Sequence, residues 1–74
     1  MYYSMDIPYK LREAIRFEDL SALVTSDGKI VVTSNMGFSA YIVKDILERK
    51  GIRSNVGWAL GINGQVCIVD ETSL

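Results

Sequence analysis

Cys67 is the single thiol of this chain, and the chain contains no histidine. That pair of facts removes an internal disulfide, the Cys/His zinc sites, the Ser-His-Asp and Cys-His nucleophile systems, and any imidazole working as acid or base near neutral pH. Cys67 itself stands between Val66 and Ile68. With no neighbouring base or second cysteine, it reads as a small core hydrophobe. No catalytic residue, metal ligand or cofactor is assigned, and the protein is expected not to be an enzyme.

Two other groupings have residue types suited to binding. Thr33-Ser34-Asn35-Met36-Gly37 joins an apolar run to a helical one, and such a turn offers hydroxyls and free backbone N–H groups to an anion at a helix start. Its residues are equally ordinary helix caps, and neither G-x-x-x-x-G-K-[ST] nor G-x-G-x-x-G is present. Gly57-Trp58-Ala59-Leu60-Gly61 sets small residues at alternate positions. On a strand that spacing makes a shallow trough, open to a packed backbone or to a ligand. Thr33, Ser34, Asn35, Gly57 and Gly61 are thus the candidate ligand-binding residues.

The charge is close to balanced, with eight basic and nine acidic residues and a net −1. Lys44, Arg49, Lys50 and Arg53 cluster, but nucleic-acid binding rests on an excess of positive charge, so nucleic acid is not expected as a partner. The closing Thr72-Ser73-Leu74 has the hydroxyl-x-aliphatic form captured by strand addition in PDZ domains. Such a short match is equally an ordinary tail.

These groups must be carried by a very small domain. Seventy-four residues, 49% of them hydrophobic, form one domain that buries only about 60% of its unfolded surface, so tight packing or a partner chain must supply the rest. Residues 1–6 are expected as a flexible arm and 71–74 as a flexible tail. The opening residues contain no Lys or Arg and no long apolar run. They do not read as a secretory signal, no stretch is long enough to cross a bilayer, and a cytoplasmic location is expected.

The spacing of Leu11, Ala14 and Ile15 after Pro8 predicts a short amphipathic helix to about Glu18. Two apolar runs, Ser21–Ser26 and Lys29–Ser34, flank Asp27-Gly28, a strong hairpin dipeptide. A two-residue turn there sets Val24 opposite Val31 and Leu23 opposite Val32, with Leu23, Ile30 and Val32 on one face. A second helix is expected from about Gly37 to Lys50, capped by Ser34 or Asn35, with Met36, Ala40, Val43, Ile46 and Leu47 along one stripe. Gly51 and Ile52 then suit a Schellman stop. Ser54 to Asp70 reads as a second hairpin turning at Asn63-Gly64. In that register Trp58, Leu60, Cys67 and Val69 share a face; a four-residue loop would change the pairs.

The order α-β-β-α-β-β describes a two-layer α+β domain with two helices and a four-stranded sheet. A crossover from the second strand through the second helix to the third would make that sheet mixed. Both sheet faces read as apolar, so helices on one side leave the other for a partner. Leu23, Ile30, Val32, Trp58 and Leu60 are the candidate interface residues.

Ile30–Asn35, followed by Ala40-x-x-Val43-Lys44-x-x-Leu47-Glu48-x-x-Gly51-Ile52 and then Val66–Glu71, resembles the small prokaryotic putative signal-transducing domain over roughly the last 45 residues. The resemblance implies a β-α-β-β unit and carries over no site residue. The stretch Ala22–Asn35 is more weakly similar to roadblock-type dimeric scaffolds, and Thr33–Ile52 to a glutaredoxin-like βαβ start without its redox cysteines.

The expected function is a non-enzymatic protein–protein interaction or regulatory adaptor module, a homodimer joined through an apolar sheet face or an edge strand. An unknown protein partner is implied, and no membrane. The alternative is a small-ligand or anion-binding domain using residues 33–37.

Overall fold

The computed structural model describes residues 7–74, so the expected arm at residues 1–6 lies outside it. Helix α1 (Tyr9–Phe17) leads into β1 (Leu20–Val24) and β2 (Ile30–Ser34). Helix α2 (Ala40–Arg49) follows, then β3 (Ser54–Gly57), β4 (Val66–Val69) and a 3-10 turn at Glu71–Ser73. The α+β order expected from the sequence is thus the observed one.

The sheet runs β1-β2-β4-β3, and every neighbouring pair is antiparallel. It is not mixed. The β2-α2-β3 connection does produce two strands of like direction, but β4 inserts between them and pairs with both. Helices α1 and α2 lie on the same face, where Leu11, Ala14, Val43 and Leu47 pack on Ile30, Val32, Cys67 and Val69. Leu11, Val32, Leu47, Ile52 and Cys67 are wholly buried there.

Two local stops set the helix positions. At the end of α2, Gly51 has φ +80°, its N–H donates to Glu48 C=O, and the Ile52 N–H donates to Leu47 C=O at 2.9 Å. This is the Schellman arrangement expected from Gly51-Ile52, and it drives Ile52 into the core. The start of α2 differs from expectation. Ser39 is the N-cap, with its hydroxyl accepting from Ile42 N–H, and Met36 and Phe38 precede the helix as exposed residues.

The first hairpin closes through a loop one residue longer than the expected two-residue turn, which shifts its register by one. Val24 pairs with Ile30, Leu23 with Val31 and Ala22 with Val32. A two-residue type I′ turn needs positive φ at both Asp27 and Gly28, and only Gly28 has it, at +86°. The loop is therefore Ser26-Asp27-Gly28, closed by Thr25 N–H donating to Lys29 C=O at 2.8 Å. Thr25 Oγ1 also accepts from Lys29 N–H at 3.0 Å and donates to Asp27 Oδ1.

The second hairpin has no tight turn. Ser54 pairs with Val69 and Gly57 with Val66, leaving residues 58–65 as the connection. It folds back over the sheet face opposite the helices, where Ala59 and Ile62 pack with Val31, Val66 and Ile68. Gly61 and Gly64 supply its left-handed positions. Chain-internal packing thus covers much of the face expected to await a partner.

Candidate functional site

The proposed interface residues separate. One shifted residue in the first hairpin moves every side chain of one strand relative to the other. Ile30 (4% exposed) and Val32 (0%) consequently face the helices, whereas Leu23 (45%) lies on the opposite face. Trp58 and Leu60 sit outside β3, in the 58–65 connection, at 66% and 67% exposure. These five residues do not form one surface.

The proposed ligand residues do not converge either. Ser34 Oγ accepts from Met36 N–H at 2.9 Å, a local turn bond. Asn35 Nδ2 donates to Asp19 Oδ1 at 3.0 Å, and Asn35 Oδ1 accepts from Ser21 Oγ at 2.6 Å. The side chain of Asn35 is thus spent on tying β2 to the entry of β1, beside a carboxylate that opposes an anion. Continuing the β2–β4 register past Val32 and Cys67 places Thr33 beside Val66, with Gly57 beyond it on β3. Two strand spacings, about 10 Å, separate Thr33 from Gly57. The cleft next to Thr33 and Ser34 holds about 90 Å³, below the roughly 300 Å³ at which small-molecule pockets begin.

The clustered basic side chains are also engaged. Lys44 pairs with Glu48 at 3.3 Å, Arg49 with Asp45 at 2.8 Å, Lys50 with Glu18 at 3.0 Å, and Arg53 lies 3.9 Å from Asp70. Each cation has a carboxylate beside it, so the patch carries little net field toward a phosphate backbone.

Shifted ionisations have structural causes. The Thr25 hydroxyl holds the Asp27 carboxyl below its usual range, and the hydroxyl and backbone N–H of Thr72 do the same for Asp70. Both carboxylates serve turns at the surface. Burial pushes the Cys67 thiol up, opposed by the Ser54 hydroxyl and the Lys44 ammonium.

A larger concavity lies elsewhere, along the outer edge of β1. Its volume is about 670 Å³, and its walls are α1 and the start of β1, with Ile7, Ile15, Leu20 and Ala22 as apolar lining. Arg12, Glu13, Arg16 and Asp19 line the same groove, two cations against two anions. Arg16 bonds Glu13 at 3.2 Å. Sequence reasoning did not single these residues out, because the groove depends on which strand ends the sheet. The available signal was the composition of Leu20-Ser21-Ala22-Leu23-Val24. It has none of the Lys, Pro or inward charge that protects an edge strand from pairing.

Compared with known protein families, with curated proteins and with solved structures, the chain gives no match. No helix among the described residues is long and apolar enough to cross a membrane.

Proposed function

We propose that this protein is a non-enzymatic protein–protein interaction module of the regulatory-adaptor type, and that it self-associates through the edge strand β1. The carrying observation is the outer edge of β1, which no other strand among the described residues pairs with and which is bordered by the 670 Å³ groove with its apolar lining and balanced charge. Strand addition at such an edge draws affinity from main-chain hydrogen bonds and selectivity from the side chains of the adjoining groove. A domain of this size also gains stability from a partner chain.

The anion-binding alternative loses its support, since Asn35 is committed to Asp19 and α2 begins at Ala40. Solution mass by light scattering over a dilution series tests the proposal. A mass of twice 8.3 kDa at high concentration, falling on dilution, is expected; a constant 8.3 kDa would end it.

A further inference from the structure

We infer that two copies join β1 to β1 about a two-fold axis through Ala22, making one continuous eight-stranded antiparallel sheet. This rests on the reading of β1 as the contact surface and adds its register and symmetry.

The register follows from which backbone groups point outward. In an antiparallel pair, hydrogen-bonded and non-hydrogen-bonded positions alternate. The Thr25 N–H donates to Lys29 C=O at one end of β1, and the Asn35 N–H donates to Asp19 C=O at the other, 3.2 Å away. With the intervening pairs Ser21–Thr33 and Leu23–Val31, the odd-numbered residues of β1 turn their N–H and C=O toward β2. Leu20, Ala22 and Val24 therefore aim theirs away from the sheet, at the open edge.

Those three residues are symmetric about Ala22. A two-fold there sets Leu20 against Val24 of the second copy, Ala22 against its own counterpart, and Val24 against Leu20 of the second copy. Each of the three pairs exchanges two N–H···O=C bonds, so all outward groups of both edges are satisfied. A shift by one residue sets outward groups against inward ones and forms none. A shift by two keeps the alternation but leaves one end of each strand unpaired.

Side chains agree with this register. An axis through an antiparallel strand pair stands normal to the sheet, so the helix layers of both copies fall on the same side. Ala22, the smallest side chain of β1 that faces the helices, occupies the centre, where bulk would keep the copies apart. On the opposite face Ser21 meets Leu23 of the second copy at a non-hydrogen-bonded position, the closer kind of pair, and covers a leucine that is half exposed in the single chain. The groove presents Arg12 and Arg16 with Glu13 and Asp19, so its two-fold copy meets no excess of like charge.

Amide exchange followed by NMR tests this directly. A single chain protects Ser21 and Leu23 while Leu20, Ala22 and Val24 exchange rapidly; the two-fold dimer protects all five, and dilution releases the even-numbered three. Protection of Leu20 without Val24 overturns the register but leaves β1 as the contact surface. Rapid exchange at all three in a sample of dimer mass removes β1 itself, and a monomeric mass removes the self-association reading. A charge pair adds a second readout. The double variant S21E/L23E places like charges together twice across the seam and should raise the dissociation constant about tenfold. S21E/L23K should restore it, with circular dichroism confirming that both variants fold. Equal behaviour of the two overturns the register.

Discussion

Leu23 pairs with Val31 on the face of the sheet turned away from both helices. That pairing sets Leu23 apart from Ile30 and Val32, whose side chains close the core beneath α1 and α2. Stability should respond accordingly. Val32→Ala is expected to cost about 2 kcal/mol, from lost burial plus a cavity, and Leu23→Ala less than about 1 kcal/mol in the monomer. Urea unfolding at low protein concentration measures both. Equal losses would mean that the two residues share a face.

Gly51 gives a second prediction. Its φ of +80° is a conformation in which a Cβ is strained, and that Cβ would also meet Lys10 Nζ at 3.4 Å. Lys10 Nζ donates to Gly51 C=O at 3.0 Å, tying α1 to the end of α2. Gly51→Ala should destabilise by about 1–2 kcal/mol, read as a lower urea midpoint with an unchanged slope. No shift in the midpoint would remove the Schellman stop as a source of stability.

Much of this was open to reading from the chain alone, and the remainder was not for identifiable reasons. Gly51-Ile52 encodes a stop whose bonds all lie within six residues, so it was legible. Asp27-Gly28 marks a turn but not its length, because the Thr25 hydroxyl and an Asp27 that does not take a positive φ decide between two and three loop residues. Asn63-Gly64 likewise misled, since Ala59 and Ile62 gain more by covering Val31 than a tight hairpin would give. The insertion of β4 between β2 and β3 is a long-range choice with no local signature. It puts β3 rather than β4 at one end of the sheet, while β1, paired with β2 alone among the described residues, ends the other, so that of the candidate residues first singled out only Leu23 lies on that edge strand.

Asp27 should titrate below its ordinary value of 3.8 because the Thr25 hydroxyl bonds its charged form. A depressed folded pKa contributes stability that is present above the unfolded pKa and lost as pH falls through the folded one. Carboxyl chemical shifts followed by NMR should place Asp27 under 3.8, and Thr25→Val should return it toward that value. An unchanged titration in the variant would remove the hydroxyl as the cause.

Cys67 has the opposite sign. Burial raises its pKa above 9.0, so its contribution is present below the unfolded pKa and is lost as pH rises through the folded one. Native protein at neutral pH should therefore react with iodoacetamide only as fast as it opens, and unfolding stability should decline above about pH 9. Cys67→Val should remove that alkaline component. Rapid labelling of the folded protein at neutral pH would show the thiol to be accessible.

Self-association through β1 is tested most directly by light scattering on the wild type beside Ala22→Pro. The Ala22 N–H points away from β2, so proline there removes no ladder bond within the chain, and edge strands tolerate it. It does remove the central donors of the proposed seam. The account predicts a wild type at twice 8.3 kDa and a folded variant at the single-chain mass under the same conditions. Two proteins of equal mass, whether both paired or both single, would contradict it.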